Sequence, residues 1–356
     1  MTSIKDKLEK ADLLREKARY REAIKLLRAA LKSSLTGEEQ FQAHLLAGHV
    51  YRMLGDFGSA ISNYEAAIKS AKDLRDGTKE ADSAVSLALS LRARGDWKTA
   101  LKLLLNSERV YSKNKDDEAL AFLNWAKAGT YRIKGDIDKA IETFKDAYRR
   151  FKGLEDEHAA GFCLNGLGGA TRVKGLYKQS LKYYSDANKL FLRLKDPFGL
   201  AYSYCGVGNA RRMEGDWKGS LINFNKALKL YERIGDIVSS SYTLWSVSKT
   251  YEFMGKLADS ARALKEAERL FTKTKDPRGR IYCLLTEAEL KAIKGEKASA
   301  MRIAKLALES AREHSFGVEA CHAVALIGIL NGKPANECYR KLGLKLKFTS
   351  FPLNIP

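Results

Sequence analysis

The chain has 356 residues, of which 45% are apolar and 30% charged, so it carries enough apolar material for a folded core. Its 63 Lys and Arg outnumber its 43 Asp and Glu, and the resulting net charge of +20 favours anionic partners. The N-terminal residues lack the apolar segment of a secretory signal, and no apolar stretch approaches the ~18 residues that span a bilayer. We therefore expect neither a disordered chain nor membrane insertion.

Two residue types recur along the chain with the same period of 40 residues, which indicates a repeat architecture. The glycines of this period are Gly55, Gly95, Gly135, Gly175, Gly215, Gly255 and Gly295, and the aspartates are Asp76, Asp116, Asp156, Asp196, Asp236 and Asp276. Glycine adopts the left-handed conformation that commonly ends a helix, and aspartate caps a helix N-terminus. The period therefore predicts two helices per unit, with no strand before residue 343.

The predicted elements follow in chain order. Residues 1–35 are predicted to form an N-terminal helix pair, because the first helical pattern is offset from the main period. Residues 36–315 form seven 40-residue units, each with a helix A that ends at the periodic glycine and a helix B that follows it. Residues 316–342 are predicted to form C-terminal capping helices, since atypical end units close such stacks.

Residues 343–356 are predicted to be an extended tail. Leu344, Leu346 and Phe348 alternate with lysines, and Pro352 and Pro356 do not continue a helix. Two placements remain open: the tail lies as a cap on the last helices, or it docks in the groove of a neighbouring molecule. In the second case the tail contributes to a homo-oligomer.

The spacing of residues within the units resembles the tetratricopeptide repeat over about residues 17–313. The matching positions are Tyr51, Gly55, Phe57, Ala60, Tyr64 and Ala67, and again Tyr131, Gly135, Ala140, Phe144 and Ala147. The period is 40 rather than the usual ~34 residues, which is similar to the long-helix kinesin light chain type. The resemblance implies an all-α, right-handed superhelical solenoid of antiparallel helix pairs. It also implies a protein-interaction role, with helix A lining the concave groove.

Positions of helix A can be counted back from its closing glycine. Positions −13, −10, −6 and −3 fall on one side of the helix, whereas −7 and −4 face helix B. The first set therefore predicts the residues of a ligand-binding groove. These are Arg52, Arg92, Arg132, Arg172 and Arg212 at −3; Phe122, Phe162, Tyr202, Tyr242 and Tyr282 at −13; Trp125, Asn165 and Trp245 at −10; and Asn209 and Lys249 at −6.

The chemistry of these positions favours an extended acidic peptide or protein segment as the partner. Arginine forms forked hydrogen bonds with carboxylates, asparagine can bond both sides of a peptide backbone, and aromatic rings give rigid contact area. A structural interpretation stays open beside this one. The arginines would then pair with acids of adjacent units, and the aromatic residues would pack between neighbouring A helices.

Two other functions remain open. Arginines on phosphates and aromatic rings stacked on bases would suit single-stranded nucleic acid, such as RNA. Exposed end faces of a solenoid could also stack, which would make the protein a self-assembling oligomeric platform.

The sequence shows no catalytic motif, so we expect a non-enzymatic protein without a cofactor. A cluster of His314, Glu319, Cys321 and His322 could ligate a metal, but incidental polar residues on a capping helix explain it better, and we expect no metal site. The five cysteines are widely spaced without a C-x-x-C pair, which excludes a disulfide framework or a zinc ribbon and favours a reducing cytoplasm.

Overall fold

The computed structural model describes residues 3–356, which form eighteen α-helices without a β-strand. The first nine are Ile4–Glu16 (α1), Tyr20–Ala30 (α2), Gly37–Met53 (α3), Phe57–Asp73 (α4), Gly77–Ala93 (α5), Trp97–Asn114 (α6), Asp117–Lys134 (α7), Ile137–Gly153 (α8) and Glu157–Lys174 (α9). The others are Tyr177–Leu194 (α10), Pro197–Met213 (α11), Trp217–Ile234 (α12), Ile237–Phe253 (α13), Leu257–Thr274 (α14), Pro277–Ile293 (α15), Lys297–Glu313 (α16), Gly317–Leu330 (α17) and Glu337–Lys341 (α18). The predicted all-α solenoid of helix pairs is confirmed.

The chain divides into two compact units. Unit 1 contains the described residues up to Ala126 together with Ile234–Asp236, and unit 2 contains Lys127–Arg233 and Ile237–Pro356. The predicted boundaries after residues 35 and 315 fall between helices, and the boundary after residue 342 follows the last helix. None of the helices in residues 3–356 combines the length and apolar character needed to cross a membrane.

The periodic glycines end helices and the periodic aspartates begin them, as their chemistry predicts. The seven periodic glycines all have positive φ, between +70° and +97°, where an L-residue would be strained. Asp76 caps α5 by accepting from the backbone N–H groups of Thr78 and Lys79, at 3.1 and 3.0 Å. The glycine therefore closes each A helix, and the aspartate starts the next unit.

A second series of left-handed residues lies in the turn that follows each B helix. It has the same 40-residue step but consists mostly of residues other than glycine: Arg75, Lys115, Glu155, Lys195, Gly235, Lys275 and Ser315. An isolated left-handed residue of this kind is uncommon. Six of the seven turns thus accept a small backbone strain in order to reverse the chain.

Small residues on the A helices make room for aromatic residues of the B helices. In unit 1, a Cβ atom added to Gly48 would lie 2.5 Å from the ring of Tyr64. In unit 2, a Cβ atom added to Gly208 would lie 2.7 Å from the ring of Phe224. Both aromatic side chains are fully buried. Position −7 therefore sets how closely the two helices of a unit approach.

The C-terminal residues of unit 2 contain a disulfide that the sequence analysis did not predict, and a tail whose placement the sequence left open. Cys321 of α17 and Cys338 of α18 form a disulfide, with a Cα–Cα distance of 5.4 Å, although the wide cysteine spacing predicted none. The tail after α18 is not a strand. It runs back over unit 2, where Leu344, Leu346 and Leu353 are buried.

Candidate ligand-binding face of unit 2

One layer of unit 2 consists of A helices that lie side by side. Helix α11 contacts both α9 and α13, and α15 contacts both α13 and α17. Helix α7 meets α9 where Arg132 packs over the backbone of Gly169. Seven charged or amide side chains of this layer form what we call the polar face of unit 2: Arg132, Asn165, Arg172, Arg212, Lys249, Glu252 and Glu289.

Three arginines at position −3 lie within electrostatic reach of one another on the polar face. Burial lowers the pKa of Arg132, and the positive charges of Arg278 and Arg172 lower it further. Burial, together with the charge of Arg172, lowers the pKa of Arg212 to about 9. Arg172 therefore acts on both Arg132 and Arg212, and the three guanidinium groups form one basic cluster.

The first part of this cluster has unused hydrogen-bonding capacity. The Nε atom of Arg132 and the Nε and Nη1 atoms of Arg172 are buried and form no hydrogen bond. The Oδ1 and Nδ2 atoms of Asn165 are also buried without a hydrogen bond. Buried polar atoms are normally paired, because removing them from water without a partner is unfavourable. Arg132, Asn165 and Arg172 together carry five buried polar atoms without a hydrogen bond within residues 3–356.

Four of the five predicted groove arginines form no ion pair within residues 3–356. Among residues 3–356, neither Arg52, Arg132, Arg172 nor Arg212 forms an ion pair, although Arg52 is hydrogen-bonded to Tyr64. Arg92 donates to the backbone oxygen of Ala126 at 3.1 Å. Arg52 and Arg92 belong to unit 1. Pairing with acids of adjacent units is thus not what holds the four unpaired arginines.

The later part of the polar face is internally paired. Lys249 is fully buried, and its Nζ atom lies 2.5 Å from Glu252 and 2.6 Å from Glu289. Burial and the charge of Glu289 raise the pKa of Glu252 to about 8, against the opposing charge of Lys249. Burial also raises the pKa of Glu289. Lys249, predicted to contact a ligand, is therefore enclosed by two carboxylates of its own chain.

Arg212 is fully buried and binds the tail. Its Nη1 atom donates to Asn354 Oδ1 at 2.5 Å, and its Nη2 atom donates to the backbone oxygen of Ile355 at 2.9 Å. Nearby, the backbone N–H of Leu353 donates to Glu289. Asn209, also predicted as a groove residue, accepts from Ser246 Oγ at 3.0 Å and is buried. This part of the face is occupied by the chain itself.

The aromatic residues at position −13 mostly pack within the layer. The ring of Phe162 lies 6.2 Å from Tyr202, and Tyr242 lies 6.4 Å from Tyr282, both edge to face. Trp245 is buried at position −10, with its indole N–H donating to Thr286 at 3.0 Å. Tyr202 is 39% exposed. In unit 1, Phe122 is 43% exposed and stacks on Trp125 at 5.6 Å.

Sequence analysis did not identify Glu289 as a residue of this layer. Glu289 lies at −6, the position that carries histidine, asparagine or lysine in three of the six earlier units. Glu319 of α17 is buried, and it accepts from Arg278 at 2.6 Å and from Tyr282 at 2.9 Å. Continuing position −6 into the last 40-residue unit would have revealed Glu289. Among residues 3–356 no group of His, Cys, Asp and Glu is placed to hold a metal.

Comparison with known proteins identifies the repeat. Two tetratricopeptide repeat families match residues 8–75 and 79–153. A search of curated protein sequences found no match.

Solved structures with the same architecture cover most of the chain. A Rap protein complexed with competence and sporulation factor is 14% identical, with a TM-score of 0.62, covering 95% of this chain and 98% of that one. NprR in complex with its cognate peptide NprX is 16% identical, with a TM-score of 0.61, covering 92% and 98%. A Rap conjugation gene regulator of the plasmid pLS20, in complex with a peptide, is 14% identical, with a TM-score of 0.66, covering 87% and 95%. At these identities the likeness concerns the fold.

The 40-residue helix pairs, the small residues under the B-helix aromatics and the two matching repeat families lead to one conclusion: the chain is a tetratricopeptide-like repeat protein.

Proposed function

We propose that the protein is a non-enzymatic interaction scaffold whose unit 2 binds an extended acidic segment of a peptide or protein. The observation that carries the proposal is the set of buried, unpaired atoms on Arg132, Asn165 and Arg172. Support for a peptide partner comes from the similar Rap and NprR structures, which are described as complexes with a peptide or with competence and sporulation factor.

The physical argument concerns what would satisfy these atoms. Arg132 and Arg172 repel each other, and neither has a carboxylate partner among residues 3–356. A carboxylate entering between them would remove the repulsion and accept charge-assisted hydrogen bonds, each contributing about 1.5–3 kcal/mol. The free amide of Asn165 can both donate to and accept from a peptide backbone. An extended segment with acidic side chains supplies both kinds of group.

The test replaces both arginines by glutamate. A fluorescein-labelled, glutamate-rich peptide is titrated into the wild-type protein and into the Arg132→Glu/Arg172→Glu variant. Loss of two charge-assisted contacts should weaken binding at least about a hundredfold. The matched control is Arg149→Glu/Arg193→Glu, which makes the same charge change on exposed side chains of α8 and α10 and should alter binding little.

The same titration tests the alternative functions. Equal binding by the two glutamate variants would contradict the assignment of the site. A labelled single-stranded oligonucleotide that binds more tightly than the peptide, and that loses binding in Arg132→Glu/Arg172→Glu, would make nucleic acid the partner. A mass in solution that depends on protein concentration would instead support the oligomeric platform.

The wide spacing of the cysteines favours a reducing cytoplasm, and we propose this location from that pattern alone. The disulfide between Cys321 and Cys338 counts against a reducing compartment. Trapping free thiols in a native lysate and measuring the mass of the α17–α18 fragment would show whether the pair is oxidised where the protein works.

A further inference from the structure

The tail is attached to unit 2 at two separate places. The first lies near its start, where the backbone N–H of Lys345 donates to the backbone oxygen of Lys174 at 2.8 Å. Close by, the amide of Asn336 bonds both the N–H and the C=O of Phe348, each at 2.8 Å. The second attachment is residues Leu353–Ile355 on the polar face. Between the two, Thr349 and Ser350 are exposed and form no hydrogen bond within residues 3–356.

The second attachment has the form of peptide recognition. Glu289 accepts from the backbone N–H of Leu353, and Arg212 donates to the backbone oxygen of Ile355 at 2.9 Å. Asn354 exchanges two hydrogen bonds with Arg212, one to the guanidinium at 2.5 Å and one to the backbone oxygen at 3.2 Å. Leu353 and Ile355 are only 2% and 1% exposed. Two main-chain bonds, one asparagine and two apolar side chains define the contact.

We propose that Leu353–Ile355 is a built-in occupant of a peptide-binding site, and that the external partner is an extended peptide presenting an apolar–Asn–apolar sequence to Arg212 and Glu289. This inference rests on the proposed function, since it extends the same polar face from the unpaired Arg132 and Arg172 to the occupied Arg212. The partner's acidic residues would reach the unpaired arginines, while its apolar–Asn–apolar segment replaces the tail.

The chemistry of the site requires that a peptide replace the tail, because release of the tail alone is unfavourable. Release of the tail removes the acceptors of two Arg212 N–H groups and leaves a buried guanidinium without them, which is unfavourable. An incoming backbone carbonyl and an asparagine oxygen restore both bonds. The tethered tail competes at an effective concentration in the millimolar range, so the intact chain should bind such a peptide weakly.

The experiment uses the full-length protein with the contact between its own tail and Arg212 weakened. A labelled synthetic peptide with the sequence of residues 349–356 is titrated into the wild-type protein, Asn354→Ala and the control Thr349→Ala. We expect Asn354→Ala to bind the peptide at least about tenfold more tightly than the wild type, because its own tail competes less. Thr349→Ala should behave like the wild type. A peptide carrying the Asn→Ala change should bind each protein more weakly.

A second measurement needs no variant. Lys174 and Asn336 hold the main chain beside Lys345 and Lys347, so trypsin cleavage after these two lysines reports release of the tail. Excess 349–356 peptide should accelerate this cleavage in the wild-type protein, and Asn354→Ala should be cleaved faster without it. Unchanged cleavage in both cases would overturn the proposal, as would a released tail in Asn354→Ala that leaves the peptide unbound. A mass that rises with protein concentration would place the tail in a second copy, against occupation in cis.

The acidic peptide of the preceding section, titrated into the same proteins, separates the two proposals. Equal binding of that peptide by the wild type and Asn354→Ala, with no binding of the 349–356 peptide, would refute the built-in occupant and leave the acidic-peptide function intact. Binding of the 349–356 peptide to Asn354→Ala without any binding of the acidic peptide would refute the acidic-peptide function alone.

Discussion

Two parts of the same polar face handle buried charge in opposite ways. Around Arg132 and Arg172, buried donors have neither a carboxylate nor a hydrogen-bond acceptor within residues 3–356. Around Lys249, one cation lies between the carboxylates of Glu252 and Glu289. Between the two parts, Arg212 takes its acceptors from the tail. The helices that carry these residues are equivalent members of one repeat.

The position of a residue in its A helix does not by itself determine whether its charge is paired. Arg172 and Glu252 occupy the same position, −3, of their respective A helices, so the repeat presents both to the same layer. One position is left unpaired, and the other is neutralised within the chain. A side chain that the protein has already paired contributes to the folded structure, whereas an unpaired one remains available to a ligand.

The largest expected loss of stability comes from a substitution of Lys249, in the internally paired part of the polar face. Lys249→Met removes the only cation between Glu252 and Glu289 within the described chain and should lower the free energy of unfolding by about 3–5 kcal/mol. Urea denaturation at pH 8 measures the change. The control is Lys291→Met on α15, whose ion pair with Glu296 is partly exposed and should contribute less than about 1 kcal/mol. Equal losses in the two variants would show that the buried pairs do not stabilise this part.

A pH titration should sharpen the contrast. The pKa of Glu252 is about 8 in the folded protein and near 4.5 when unfolded, so the folded state binds the proton more tightly. The stability that this group contributes is therefore present below pH 4.5 and is lost as the pH rises towards 8. Glu252→Gln mimics the protonated form.

The stability of Glu252→Gln relative to the wild type should rise by about 1–3 kcal/mol between pH 5 and pH 8. Denaturation curves at both values give the comparison, and subtracting the wild type removes contributions from other titrating groups. Lys249, Glu289 and Arg212 face Glu252, and all three are retained in the variant. A difference that stays constant with pH would contradict the raised pKa.

The helix pattern could be predicted from the sequence because each unit repeats it with the same local chemistry. Glycine at every fortieth position marked the left-handed end of each A helix. The turn after each B helix gave a weaker signal, because Arg75, Lys115 and Lys195 adopt the left-handed conformation without being glycine. Tertiary packing fixes these turns, and the residue type does not reveal it.

The candidate site could be predicted only in part. Helical spacing predicts Arg132, Arg172 and Arg212 on one side of the A helices, and in the structure Arg172 acts electrostatically on the other two. It could not indicate that Lys249 is neutralised, because that depends on Glu289 in the following unit. Nor could it place the tail, since the bond between Arg212 and Asn354 joins residues 142 positions apart. Such contacts leave no periodic trace in a sequence.

The smallest expected change in stability best distinguishes a role in recognition from a role in folding. Arg172→Met removes a partly buried cation that has no acidic partner among residues 3–356, and the methionine keeps most of the apolar contact. Its free energy of unfolding should stay within about 1 kcal/mol of the wild type, with any change towards greater stability. Arg278→Met is the matched control, because its guanidinium is paired with the buried Glu319 and its loss should destabilise by about 3 kcal/mol.

The two arginines then lead to different inferences when binding is measured beside stability. If Arg172→Met folds as well as the wild type yet binds the glutamate-rich peptide at least about tenfold more weakly, its unpaired charge serves recognition and has no structural role. If Arg172→Met is as destabilised as Arg278→Met, the guanidinium supports the fold through contacts other than ion pairs. The division of the polar face into a paired and an available part would then fail at its central residue.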